Sequence, residues 1–238
     1  MAEGPYPASQ GNWHLMAAKI DCDSLGLGAC FALAHAAQLL EDAATLYASK
    51  RGSSSFHLAV MAREELGRFN LLSARRHSLA DDQFVEAIEV VESLRSHTKK
   101  LRASNFVFAI PMPPEEQAAW KGAIERTDEP TVQRISEEMH KRASERRDHE
   151  VIALHQRRLK AQYVDLNPND GEWSKPSDVS LADASTLIRS AMAEIANALI
   201  ASQGSAWIHA AFASVGEHKP EMGPFTHRIF ACLAQGDA

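Results

Sequence analysis

The segment from Phe56 to Leu72 carries apolar residues on nearly every side of a helix, yet Arg63, Glu64, Glu65 and Arg68 lie within it. At 3.6 residues per turn, Glu65 shares a stripe with Leu58, Met61, Phe69 and Leu72, while Glu64 and Arg68 form an i,i+4 pair. Ionised groups in such surroundings cost several kcal/mol unless they are paired. Glu64 and Glu65 therefore read as members of a buried network. Arg68 either closes that network or offers its charge to a phosphate of RNA.

Two histidines are placed for proton transfer. His97 falls on the stripe of Val90, Leu94 and Leu101, with Lys100 one turn further along. An imidazole that titrates near neutrality can take a proton from a ribose 2′-hydroxyl or give one to a leaving oxygen. A neighbouring Lys or Arg stabilises the charge on the phosphate. The plainer reading of His97 is a half-buried ring hydrogen-bonded to Glu64 or Glu65 across a bundle.

His149 belongs to a stretch, Met139 to Lys160, that holds Lys141, Arg142, Arg146, Arg147, Arg157, Arg158 and Lys160 against Glu145, Asp148 and Glu150. Arg142, Arg146 and His149 fall on one helical face, with Arg142 and His149 about 10 Å apart along the axis. That face could follow a phosphate backbone, with His149 as acid or base. The alternative is a solvated helix laced by charge pairs, and the scarcity of aromatics nearby argues against base stacking.

Metal and cofactor chemistry find little support. A di-iron bundle needs Glu-x-x-His on two helices; Glu137-x-x-His140 is one copy and no second appears. His149 and His155 are six positions apart, poorly placed for joint ligation. No glycine-rich phosphate loop, nucleophile elbow or Cys-His pair is present. The expectation is no metal and no cofactor.

The elements that must position these groups are helices. From Leu25 to Lys50, the apolar residues Leu33, Ala36, Ala37, Leu40, Ala44 and Tyr47 recur at three- and four-residue spacing. Gly52 reads as a C-cap and Ser53 to Ser55 as N-caps for a second helix running to about His77. Asp81-Asp82 open a third, with Phe84, Ile88, Val91, Leu94 and Leu101 inward, ending before Pro111. A short helix is expected over 115–125. A long one follows from Glu129-Pro130 to Lys160, with Val132, Ile135, Met139, Ile152 and Leu159 inward. Turn residues fill the loop at about 163–180, where Tyr163-Val164-Asp165 could pair as a strand. Ser180 to Asp183 forms a capping box for a last long helix to about Gln203.

The chain has 238 residues, with 45% hydrophobic, 24% charged and a net charge of −6. That is ordinary for a globular protein, and the overall sign does not favour nucleic acid beyond local patches. Three cysteines, Cys22, Cys30 and Cys232, build no framework, so a reducing cytoplasm is expected. No apolar run reaches membrane-spanning length and the polar start lacks a signal-peptide core, so no membrane partner is expected. Residues 1–20 read as a flexible arm, 21–213 as one helical domain and 214–238 as a tail whose Gly216, Pro220, Gly223 and Pro224 disfavour order.

Three segments together resemble the AbiV family of bacterial abortive-infection proteins, part of the HEPN group of helical domains. They are Glu64-Glu65-Leu66-Gly67-Arg68, where the family usually has lysine last; Arg95-Ser96-His97-Thr98-Lys99-Lys100-Leu101, similar to a Ser-His-x-x-Lys stretch; and Leu159 to Asp165, followed by Lys175-Pro176 and a final helix. The resemblance implies an all-α, HEPN-like bundle that dimerises. It also implies an antiphage role, in which several HEPN relatives act as metal-independent ribonucleases. Such enzymes usually carry Arg, four to six residues, then His at a composite dimer site. Arg95 and His97 are too close for that pattern; Arg142 and His149, with six residues between, fit it.

Two functions lead the expectations, with the antidote-like or nucleotide-binding role of some HEPN domains as a third that the resemblance implies. One is RNA cleavage, with His97 or His149 handling the proton and Arg68, Lys100, Arg142 or Arg146 holding phosphate. The other is a non-enzymatic module that blocks translation or senses a phage or host protein by contact.

Overall fold

Asp21 starts the first long helix by accepting a hydrogen bond from the Ser24 backbone N–H at 2.7 Å, which satisfies one of the orphan donors of the first turn. This helix, α1 (Cys22–Ala48), is buried along most of its length, with Leu25, Leu33, Ala36, Leu40 and Ala44 almost fully enclosed. In this computed structural model, residues 18–80, 82–104, 113–162, 165–166, 173–174, 179–216 and 218–237 are described.

A tight reversal leads into α2 (Gly52–His77), so the two helices form an antiparallel hairpin. The reversal differs from the sequence expectation. Lys50, with φ of 60°, takes the left-handed conformation, and Gly52 begins α2, with no capping side-chain hydrogen bond from Arg51. A Cβ on Gly52 would lie 3.1 Å from the Val179 carbonyl oxygen. Gly52 thus marks a close approach of two backbones, where a side chain would push them a few tenths of an ångström apart, and is not a C-cap.

The expected third helix is interrupted. Val85–Glu86 (β2) pairs antiparallel with Lys19–Ile20 (β1), with Lys19 opposite Glu86 and Ile20 opposite Val85. Lys19 and Ile20 thus join the fold although they fall in the expected arm; residues 1–17 of that arm lie outside the described residues. Phe84, expected inward, is 56% exposed. Two short helices follow, α3 (Ala87–Arg95) and α4 (His97–Ala103), separated at Ser96. Ser96 is extended and accepts from the Lys99 backbone N–H, so it ends one helix and caps the next.

Beyond this, α5 (Pro114–Glu125) opens on proline at its first position, where a missing N–H costs nothing. The long α6 (Glu129–Gln162) packs on α2, α4 and α5. Its inward face is rotated by one position from expectation at the C-terminal end. Val151, Arg158 and Ala161 are buried there, whereas Ile152 and Leu159 are exposed. A small hairpin of β3 (Asp165–Leu166) and β4 (Trp173–Ser174) lies in the expected ordered loop; Tyr163 and Val164 lie outside the described residues.

The capping box forms as read. Ser180 accepts from the Asp183 backbone N–H and Asp183 accepts from that of Ser180, starting α7 (Leu181–Ala201). A short α8 (Ala206–Ser214) follows, and the stretch expected as a tail instead carries a helix, α9 (Met222–Asp237). Phe225, Ile229 and Leu233 are spaced at i, i+4 and i+8 and are buried against the bundle. Each contributes about 1.5–3 kcal/mol relative to exposure, enough to hold a helix that starts with glycine and proline. The end of α9 is fixed by Tyr47, whose hydroxyl donates to Asp237 at 2.6 Å, and by Lys50, whose Nζ donates to the Gly236 carbonyl at 2.7 Å. The architecture is an all-α bundle, as the sequence indicates, centred on α1 and α2.

Candidate active site at Glu64 and His97

Gly67 decides where α4 sits. A Cβ at that position would fall 1.8 Å from the Lys100 carbonyl oxygen, so only glycine lets the α4 backbone lie directly on α2. This approach brings His97 and Lys100 over Glu64, one turn earlier on α2. The Glu64 carboxylate is 4% exposed. Its Oε2 accepts from His97 Nδ1 at 2.6 Å and stands 3.9 Å from Lys100 Nζ. Its Oε1 faces Arg158 Nε at 3.5 Å, contributed by α6.

An ionised carboxylate only accepts, so Nδ1 of His97 carries the hydrogen and Nε2 is the free nitrogen of the ring. The His97 side chain is 45% exposed. It is a positioned imidazole at the mouth of a charged, otherwise enclosed cluster. His155 stacks on it, with ring centroids 5.6 Å apart and planes inclined by 22°. Burial, then Arg158, then His97 hold the His155 imidazole below its ordinary pKa, with Glu64 opposing. His57 on α2 is likewise depressed by burial and by Arg158, again with Glu64 opposing.

Two fixed cations and three imidazoles thus surround a single carboxylate. The cluster carries a surplus of positive charge in a low-dielectric setting, where such a surplus favours an anion. Glu64 Oε1, Arg158 Nε, His57 Nδ1 and His155 Nδ1 are buried without a hydrogen-bond partner among the described residues. Buried polar atoms are satisfied in the great majority of cases, so the two imidazole nitrogens leave hydrogen-bonding capacity open at this cluster, while Glu64 Oε1 and Arg158 Nε face each other as an ion pair.

The other charges of α2 face elsewhere. Arg63 is fully buried and pairs with Glu194 of α7 at 3.0 Å. Burial lowers Arg63 to about 10 and raises Glu194 to about 7, each opposed by the other's charge. Arg68 pairs with Glu65 at 3.0 Å, and His35 of α1 lies 3.9 Å from the same carboxylate oxygen. The expected Glu64–Arg68 pair does not form, because Glu64 is turned toward α4 and α6. Arg68 therefore stands apart from the His97 cluster.

On α6, Arg142 is bound to Glu116 of α5, and Arg146 pairs with Glu150 at 2.7 Å. Arg102 of α4 reaches Asp148 at 2.7 Å and Arg157 reaches Asp183 at 2.7 Å. His149 is exposed and makes no contact with Glu64 or His97. The face with the ribonuclease spacing is thus largely charge-compensated. Among the described residues, no three His, Cys, Asp or Glu side chains gather as a metal site requires, and no helix is long and apolar enough to cross a membrane.

Comparison with known families adds the decisive observation: a family model described as AbiV, of the HEPN group, matches residues 28–197, well over half the chain. The chain belongs to the AbiV family. No curated protein and no solved structure matches it. The matched region runs from within α1 to near the end of α7, so it contains Glu64, His97, Lys100, His155 and Arg158, while α8 and α9 lie beyond it. Membership assigns this chain to an abortive-infection, HEPN-type role.

Sequence reasoning about this AbiV-family chain missed Arg158, His155 and His57 as parts of the His97 site. A signal was present: Val151, Leu154, Arg158 and Ala161 recur at three- and four-residue spacing, which places an arginine on the apolar stripe of α6. Glu65 on the stripe of α2 is the same kind of signal. Arg63 carried it too, as a charge inside the apolar segment of α2; Glu194 carried none, because it reads as a solvated charge until α2 and α7 are packed.

Proposed function

We propose that this AbiV-family protein arrests phage growth in the cytoplasm by cutting RNA without a metal ion or cofactor, with His97 as a proton-transferring residue. One observation carries the reading. A buried carboxylate, Glu64, fixes Nδ1 of a half-exposed imidazole while Lys100 and Arg158 stand beside it. A carboxylate that orients a histidine and balances its charge is the arrangement general acid–base catalysis calls for.

With a phosphodiester seated at the His97 ring, the ribose 2′-oxygen attacks phosphorus as it loses its proton. The 5′-oxygen leaves with a proton, giving a 2′,3′-cyclic phosphate and a 5′-hydroxyl. Lys100 and Arg158 stabilise the charge that builds on the phosphoryl oxygens, and their enclosure strengthens that effect. The homodimer implied by the family belongs to the same proposal.

A second reading has a specific observation behind it. Lys100 and Arg158 are themselves buried, and Arg142, Arg146 and Arg157 are each paired with a carboxylate. The cluster would then be a clasp joining α2, α4 and α6 in a non-enzymatic interaction module.

End-group analysis separates the two. A synthetic RNA incubated with purified protein in EDTA is expected to yield 2′,3′-cyclic phosphate ends, and His97→Asn to abolish them. Intact RNA with the wild type rejects the nuclease and leaves the clasp.

A further inference from the structure

We infer that His155 is the second proton-transferring residue of this site, taking the 2′-hydroxyl proton while His97 protonates the leaving 5′-oxygen. The inference rests on the nuclease reading above and adds a residue and a division of labour to it. In-line attack places the entering and leaving oxygens on opposite sides of phosphorus, so a single imidazole cannot serve both at once. The structure supplies a second ring next to the first. His155 on α6 and His97 on α4 stack at 5.6 Å with nearly parallel planes, and both border the same cationic cluster.

Their surroundings divide the roles. The groups around the pair are Glu64 from α2, Lys100 from α4 and Arg158 from α6, with His57 of α2 bearing on the same Glu64 and Arg158. Arg158, three positions after His155 on the same helix, lies against Glu64 and bears on the His155 ring. Burial and that guanidinium hold His155 in its neutral form, which has a lone pair to accept a proton. His97 differs because Glu64 accepts from its Nδ1 at 2.6 Å. The carboxylate balances the positive charge of a doubly protonated ring, as in other oriented histidines. The acid is therefore the carboxylate-bound ring and the base is the ring beside arginine.

The step balances. A lone pair of neutral His155 takes the 2′-hydroxyl proton as the 2′-oxygen forms its bond to phosphorus. The bond from phosphorus to the 5′-oxygen breaks, and that oxygen takes the proton from the His97 imidazolium. Cyclic phosphate and 5′-hydroxyl leave, with His155 now charged and His97 neutral. Proton exchange with water restores both rings.

A substrate with sulfur in place of the leaving 5′-oxygen tests the assignment, because a thiolate departs without an acid. Wild type, His97→Asn and His155→Asn, each shown to be folded by circular dichroism, are compared on the oxygen- and sulfur-linked RNA dinucleotides. Loss of a general acid or base is worth about 10²–10⁴-fold. The expected result is a loss of that order for both variants on the oxygen substrate. On the sulfur substrate, only His97→Asn should recover most of its activity. A merely packed ring at position 155 would not produce this pattern.

Retained activity in His155→Asn, with loss in His97→Asn, overturns this inference alone and leaves the nuclease standing. Recovery of His155→Asn but not His97→Asn on sulfur overturns the roles. An inactive wild type removes the nuclease reading and this inference together.

Discussion

An alanine at position 67 would set its Cβ 1.8 Å from the Lys100 carbonyl oxygen, 2.6 Å from its carbonyl carbon and 3.1 Å from its Cα. All three are backbone atoms, so no rotamer change relieves the overlap. Restoring ordinary contact requires α4 to withdraw from α2 by well over 1 Å. The effects oppose one another, and their sizes decide the sign. Helix propensity alone favours alanine over glycine by about 1 kcal/mol. Over-packing a tight contact costs about 1–3 kcal/mol, and loosening the charged His97–Glu64 hydrogen bond costs roughly 1.5–3 kcal/mol more.

Gly67→Ala is therefore expected to destabilise the fold by about 1.5–5 kcal/mol, a fall in Tm on the order of 3–20 °C for a chain of this size. Calorimetry measures the fall. Nitrogen-detected NMR of the His97 ring reports whether Nδ1–H still meets Glu64. A Tm at or above wild type with that bond intact would refute the close-approach argument.

Other perturbations have equally definite outcomes. Glu64→Gln leaves Lys100 and Arg158 enclosed without their carboxylate, and urea unfolding should show a loss of about 3–5 kcal/mol; a loss below about 1 kcal/mol would mean those cations already reach water. Glu194 has its pKa raised by burial from 4.5 to about 7, so its stabilising contribution is complete below 4.5 and is lost as pH rises through 7. The stability of wild type relative to Glu194→Gln should thus decline across that window, and a flat difference would contradict it. Phe31, 43% exposed on α1 beside His35, is the probe for the expected homodimer. Light scattering should show a lower mass for Phe31→Glu than for wild type, and an unchanged dimer would move the interface elsewhere.

Much of the fold was legible because the signals were local. Ser180 and Asp183 announce their helix by spacing alone, and the apolar stripes of α1 and α2 are long enough to define themselves. The charged cluster on α2 was equally visible, since Glu64 and Glu65 interrupt an apolar stretch. What was not legible depends on long-range packing. The start of α3 at Ala87, later than expected, needs the pairing of Val85–Glu86 with Lys19–Ile20, and α9 needs the surface of α1 and α7 to cover Phe225, Ile229 and Leu233. Arg142 and His149 looked attractive because their spacing matches a family motif, and Arg146 because it shares their helical face. Glu150, which neutralises Arg146, lies one turn further along the same helix and was readable, whereas Glu116, which binds Arg142, counts only once α5 and α6 are placed. His155 stood in plain view, but its meaning came from α4 crossing beside α6.

The most direct test of the account compares His97→Asn with His149→Ala, both confirmed as folded, for cleavage of a synthetic RNA in EDTA. The account predicts that His97→Asn loses at least about a hundredfold in rate, while His149→Ala stays close to wild type. The reverse pattern, with activity surviving at position 97 and lost at 149, would contradict it and move the chemistry to the exposed face of α6.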